Sequence, residues 1–74
     1  MQSVDKTEAS LKKLGANIRR ERMARRMTQA KLAELVDVNI RTIQKIEAGH
    51  INTLVTTAMR IQKALGSPWD KLMP

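Results

Sequence analysis

Apolar residues recur at helical spacing from Leu11 onward. Leu11, Leu14 and Ile18 repeat at intervals of three and four, which predicts an amphipathic first helix, and Arg22 falls on the same stripe. Lys12, Lys13, Arg19, Arg20 and Arg26 mostly lie off it, as a solvated face does. A charge on a buried stripe needs a partner, so Arg22 stands apart from the other cations. Residues 1–9, MQSVDKTEA, are polar and carry no sustained period; they are read as a flexible or frayed segment unless they extend the first helix. One domain, residues 10–74, follows.

Met27-Thr28 punctuates the pattern. Thr28 suits an N-cap, and Met27 and Leu32 stand at the two positions of a hydrophobic staple. The second helix is predicted over Gln29–Val36, with Leu32, Ala33 and Val36 inward. Asp37-Val38-Asn39 breaks it. Asp tolerates the left-handed conformation of a tight interhelical turn, though less well than Gly. Asn39 caps a third helix, Ile40 to Ala48, and Gly49 stands where a C-terminal cap belongs. A fourth helix begins near Asn52 or Thr53 and ends before Gly66, with Val55, Ala58, Met59, Gln62 and Leu65 inward. In SPWDKL, Ser67 reads as a cap, Pro68 as the first helical residue and Asp70 as the third. The expected fold is all-α, five helices with short links.

The third helix carries the strongest functional signal. Ile43 and Ile46 lie about 60° apart on a helical wheel and define its inward side. Arg41, Lys45 and Ala48 lie opposite, Gln44 flanks them, and Ile40 and Thr42 sit at the two edges. Such a strip of donors with apolar margins suits the major groove of DNA, where Arg and Lys bond guanine, Gln bonds adenine and Ile touches a thymine methyl. The same residues on an isolated amphipathic helix would be ordinary solvent residues. The tight turn from the preceding helix is what holds this one proud of the body.

Charge adds weight to that reading. The 74 residues include 14 Lys and Arg against 7 Asp and Glu, a net charge of +7. On so small a body this favours an anionic partner, nucleic acid or an acidic membrane surface. A basic amphipathic first helix on a membrane would leave residues 28–49 unexplained. No apolar run could span a bilayer, and no secretory signal is evident, so a cytoplasmic location is expected. With no cysteine there is neither disulfide nor thiolate metal site, and stability rests on helix packing or dimerisation. The only histidine, His50, follows the capping Gly49 and reads as a loop residue near phosphate. Asp5, Glu8, Glu21 and Glu34 form no recognisable acid–base pair. No enzyme activity, cofactor or metal is expected.

Three stretches together, LGANIRRER, TQAKLAELVDVNIRTIQKIEAG and a helix ending IQKALG, resemble the Xre/Cro-type helix-turn-helix regulators, the lambda-repressor-like family, from about Leu14 to Leu65. The resemblance implies a compact five-helix DNA-binding domain. It implies that Gln29 opens the first motif helix and contacts the DNA backbone, and that Ala33 lets the two helices cross closely. Ile40, Arg41, Thr42 and Lys45 are implied to meet base edges or nearby phosphate, and Gln44 joins them from the wheel. Expected backbone contacts are Arg20, Thr28, Gln29, Asn39, Ala48, His50 and Asn52. The family also implies an ion pair between Arg22 and Glu47, which would satisfy the charge on the buried stripe. Two positions depart from the family pattern: the turn residue, commonly Gly, is Asp37, and Thr57 occupies a fourth-helix position that is often larger or apolar.

Such proteins usually bind as dimers to half-sites about one helical turn apart, ~34 Å. Trp69, Leu72 and Met73 lie beyond the core helices and, exposed together, would make a two-fold interface with the fourth helix. The expected partners are double-stranded DNA and a second copy of the chain. The role stays open among a stand-alone repressor or activator, a restriction–modification controller, and an antitoxin with a cognate toxin protein; a protein-binding adaptor on the same fold is the remaining alternative.

Overall fold

The computed structural model describes residues 4–74, arranged as α1 (Val4–Ala24), α2 (Gln29–Val36), α3 (Ile40–Glu47), α4 (Val55–Leu65) and α5 (Trp69–Leu72). Residues 1–3 lie outside the described part, whereas residues 4–9 extend the first helix. No described helix is long and apolar enough to cross a membrane.

The core joins one stripe from each helix: Ile18 from α1, Leu32, Ala33 and Val36 from α2, Ile43 and Ile46 from α3, Ile61 and Leu65 from α4, and Leu72 from α5. Burying a Leu or Ile side chain contributes roughly 1.5–3 kcal/mol, so this small set holds the helices together without a covalent staple. α1 packs on α3 and α5, and α2 packs on α3 and α4.

Local chemistry sets the helix ends. α1 closes with Met27 N–H donating to the Arg22 carbonyl and Arg26 N–H to that of Met23, which places Arg26 in the left-handed region at φ 53°. The same pairing ends α2, where Val38 bonds Ala33, Asp37 bonds Glu34, and Asp37 takes φ 62°. It recurs after α3 with Gly49 at φ 75°. The Thr28 hydroxyl accepts from Lys31 N–H at 3.0 Å, and Asn39 Oδ1 accepts from Arg41 N–H at 2.8 Å, capping α2 and α3.

Three details depart from the sequence expectation. α4 starts at Val55, because Asn52 Oδ1 accepts from Thr53 N–H and Leu54 stays extended. Its inward face is also rotated: Ile61 and Leu65 are buried, Ala58 and Gln62 half-buried, and Val55 and Met59 exposed. Ser67 does not cap α5, whose N-cap is Pro68. Its hydroxyl instead donates to Glu21 Oε1 at 2.7 Å in the interior. A long-range bond to a buried carboxylate takes precedence here over a local cap on a helix of one turn.

Candidate nucleic-acid interface

The α2–α3 turn places the outer face of α3 at the surface. Leu32, Ala33 and Val36 lock α2 to the core, Asp37 reverses the chain, and Ile43 and Ile46 anchor α3. Arg41, Gln44, Lys45 and Ala48 are thereby exposed, with Ile40 at 39% exposure on one margin and Thr42 half-buried on the other. Two shallow depressions run along this face and share Gln44 and Ala48. One is completed by Arg41, Lys45 and His50, the other by Arg19, Arg22, Gln29 and Glu47.

Among the described residues Glu47 is the only acid lining either depression, and its charge is matched internally. Its carboxylate accepts from Arg22 Nε at 2.7 Å and Nη2 at 3.0 Å, and from Gln29 Nε2 at 3.1 Å. Arg22 Nη1 donates to the Met27 carbonyl at 2.7 Å. The pair is nearly buried, with side-chain exposures of 10% for Arg22 and 3% for Glu47. This bidentate bridge ties α1, the α1–α2 link, the first residue of α2 and the last residue of α3 into one frame. The outer face is left with Arg19, Arg41 and Lys45 as exposed cations.

Gly15 sets the distance between α1 and α3. A Cβ there would stand 2.5 Å from the Glu47 carbonyl oxygen and 2.8 Å from its carbon, and would also overlap the Ile46 carbonyl. Only a residue without a side chain lets the two backbones meet so closely. An isolated glycine within a helical stripe is the sequence signal for such an approach, and it marks Gly15 as a residue the motif reading passes over.

Of the expected backbone contacts, Thr28, Gln29, Asn39, Ala48 and His50 belong to the α2–α3 unit or its exit. Two others fall elsewhere. Arg20 turns toward the C-terminus, where Nε bonds Glu21 at 3.1 Å, Nη1 bonds Asn17 at 3.0 Å and Nη2 bonds the Lys71 carbonyl at 2.6 Å. Asn52 lines an apolar groove with Leu14, Val55, Ala58, Met59, Trp69 and Met73. The expected interface trio divides as well. Trp69 and Met73 are 41% and 51% exposed, but Leu72 is 1% exposed and belongs to the monomer core. The two environments meet within α5 and its C-cap, because α5 lies on α1 with Leu72 as its single buried residue.

Glu21 forms a second buried charge centre. The Ser67 hydroxyl, then the Arg20 and Arg25 guanidiniums, hold its carboxyl well below the usual 4.5, at about 2. Together with Asn17 Nδ2, which donates to the Leu72 carbonyl at 3.0 Å, this cluster fastens α5 to α1.

No curated protein matches the sequence significantly. Among solved structures, the chain is similar to the restriction-modification controller protein C.AhdI from Aeromonas hydrophila, with 26% identity and a TM-score of 0.83 over 88% of this chain and 98% of that one. A family model described as Helix-turn-helix matches residues 18–72, which spans both motif helices, α4 and α5. The chain therefore belongs to the Xre/Cro-like helix-turn-helix family of DNA-binding regulators.

Proposed function

We propose that the protein is a sequence-specific transcriptional regulator that inserts α3 into the major groove and binds a two-fold operator as a homodimer in the cytoplasm. The exposed donor strip Arg41, Gln44 and Lys45, held outward by Ile43 and Ile46, carries this reading. Thr28, Gln29, Asn39, Ala48 and His50 border the strip and supply backbone contacts. The second copy docks on the apolar groove between the start of α4 and α5, through Trp69 and Met73 with Val55 and Met59. Such an exposed apolar cluster on a small monomer is characteristic of an association surface.

The similarity to a restriction-modification controller is compatible with that role and with a stand-alone regulator alike. Adjacent endonuclease and methyltransferase genes would support the controller role, and an adjacent toxin gene would point to the antitoxin role instead. Duplex binding across a salt series tests the DNA-binding proposal. The net charge of +7 predicts binding to random duplex at low salt. Log K should fall against log salt with a slope of about −0.9 per phosphate contacted. A flat response contradicts the proposal.

A further inference from the structure

Arg19 and Arg20 are adjacent, exposed and chemically identical, yet they face different parts of the molecule. Consecutive residues on a helix point about 100° apart. Arg20 is committed to Asn17, Glu21 and the Lys71 carbonyl, and each of its guanidinium nitrogens has an intramolecular partner. Arg19 lies one turn beyond Gly15, the residue whose backbone meets the carbonyls of Ile46 and Glu47. The close approach that Gly15 permits therefore delivers the Arg19 side chain to the C-terminal end of α3. There it shares a depression with Gln29, Gln44 and Ala48.

Nothing among the described residues neutralises it. Glu47, the one acid lining that depression, already accepts from two nitrogens of Arg22 and from Gln29. The side chain of Arg19 makes no hydrogen bond or ion pair with a described residue, whereas Arg20, Arg22 and Arg25 all do. A guanidinium left free beside a strip of base-reading donors has the charge and the forked geometry for a phosphodiester oxygen pair.

We propose that Arg19, reaching from outside the helix-turn-helix unit, binds a DNA phosphate flanking the bases read by α3, and that Gly15 is the device that brings it there. This rests on the DNA-binding reading above. In the assembled complex Arg19 clamps the strand from the α1 side, while Thr28 and Gln29 hold it from the start of α2. It positions α3 in the groove and reads no base itself.

The test compares parent, Arg19→Ala, Arg19→Lys and Arg20→Ala on a duplex selected by the parent and on a random duplex, over a salt series. Arg19→Ala should lessen the slope of log K against log salt by about 0.9 per protomer on both duplexes, the signature of one lost phosphate contact. It should weaken both duplexes by the same factor and leave the selected sequence and the melting temperature unchanged. Arg19→Lys, which keeps the charge, should restore most of the slope. Arg20→Ala should lower the melting temperature and leave the slope as in the parent. A parent slope retained by Arg19→Ala overturns the inference while the DNA-binding reading stands. Equal slope losses for Arg19→Ala and Arg20→Ala also overturn it, since the charge would then act without a specific contact. A parent that binds no duplex overturns the DNA-binding reading, and this inference with it.

Discussion

Glu47→Ala should be the most damaging single change at the rim of the interface. The carboxylate is 3% exposed and receives three hydrogen bonds, two from Arg22 and one from Gln29. Removing it leaves a guanidinium that is 10% exposed with only the Met27 carbonyl as a partner. Breaking a buried pair by deleting one member costs ~3–5 kcal/mol, because the remaining charge stays desolvated. A domain of this size holds roughly 4–11 kcal/mol in total, at about 0.05–0.15 kcal/mol per residue. The loss is therefore a large fraction of the whole. At about 4–8 °C per kcal/mol, even a loss of ~3 kcal/mol lowers Tm by roughly 12–24 °C. Glu47→Gln keeps one acceptor oxygen and should fall between parent and Glu47→Ala. Arg22→Met combined with Glu47→Leu removes both charges and should melt well above either single change, since paired burial itself adds little net stability. Thermal melts followed by far-UV circular dichroism compare the parent, Glu47→Ala, Glu47→Gln, Arg22→Met, Glu47→Leu and the double variant. Single variants that melt with the parent, or a double variant that loses the sum of the two single losses, would refute the pairing argument.

Gly15→Ala should destabilise by ~1–3 kcal/mol despite the better helix propensity of alanine, because the new methyl meets backbone rather than a flexible side chain; a thermal melt at or above the parent's contradicts the close approach. Glu21 makes stability pH-dependent. Its folded pKa lies near 2, below its ordinary 4.5, so its contribution is fully present above about pH 5 and is lost as pH falls toward 2. The Tm gap between parent and Glu21→Gln should therefore narrow over that range and stay constant above it, and a gap of equal size at both ends would show that the charge is not what matters. Trp69→Ala should weaken self-association in sedimentation across a concentration series while moving the melt little; a variant that stays dimeric but melts much earlier would place Trp69 in the core.

The parts of the fold legible in the sequence are those set by neighbours along the chain. Thr28, Asp37 and Asn39 cap and turn through bonds spanning two or three residues, and they fix α2 and the start of α3. The need for a partner at Arg22 was legible because a cation interrupted an apolar stripe. What the sequence leaves open depends on what lies opposite. Val55 and Met59 read as inward because apolar periodicity marks any face that avoids water, and an association surface is such a face as much as the core is. Leu72 and Met73 are adjacent apolar residues, and only the lie of α5 on α1 separates the buried one from the exposed one. Ser67 has the local chemistry of a cap but is taken by a carboxylate 46 positions away. Arg19 and Arg20 are indistinguishable until the α1–α3 approach at Gly15 is known.

The central claim is that the outer face of α3 reads base sequence. Arg41 lies in its first turn, exposed, with its backbone N–H held by Asn39 and its side chain beside Gln44 and Lys45. Selection of binding sites from a random duplex library by parent and Arg41→Ala tests the claim most directly. Arg41→Ala should lose one guanine preference within the selected motif and bind the parent's site more weakly by ~1–3 kcal/mol, the worth of a bidentate contact. Affinity for random duplex should change only by the loss of one charge. If the variant enriches the parent's motif with the same preference at every position, Arg41 reads no base and the major-groove assignment of α3 fails.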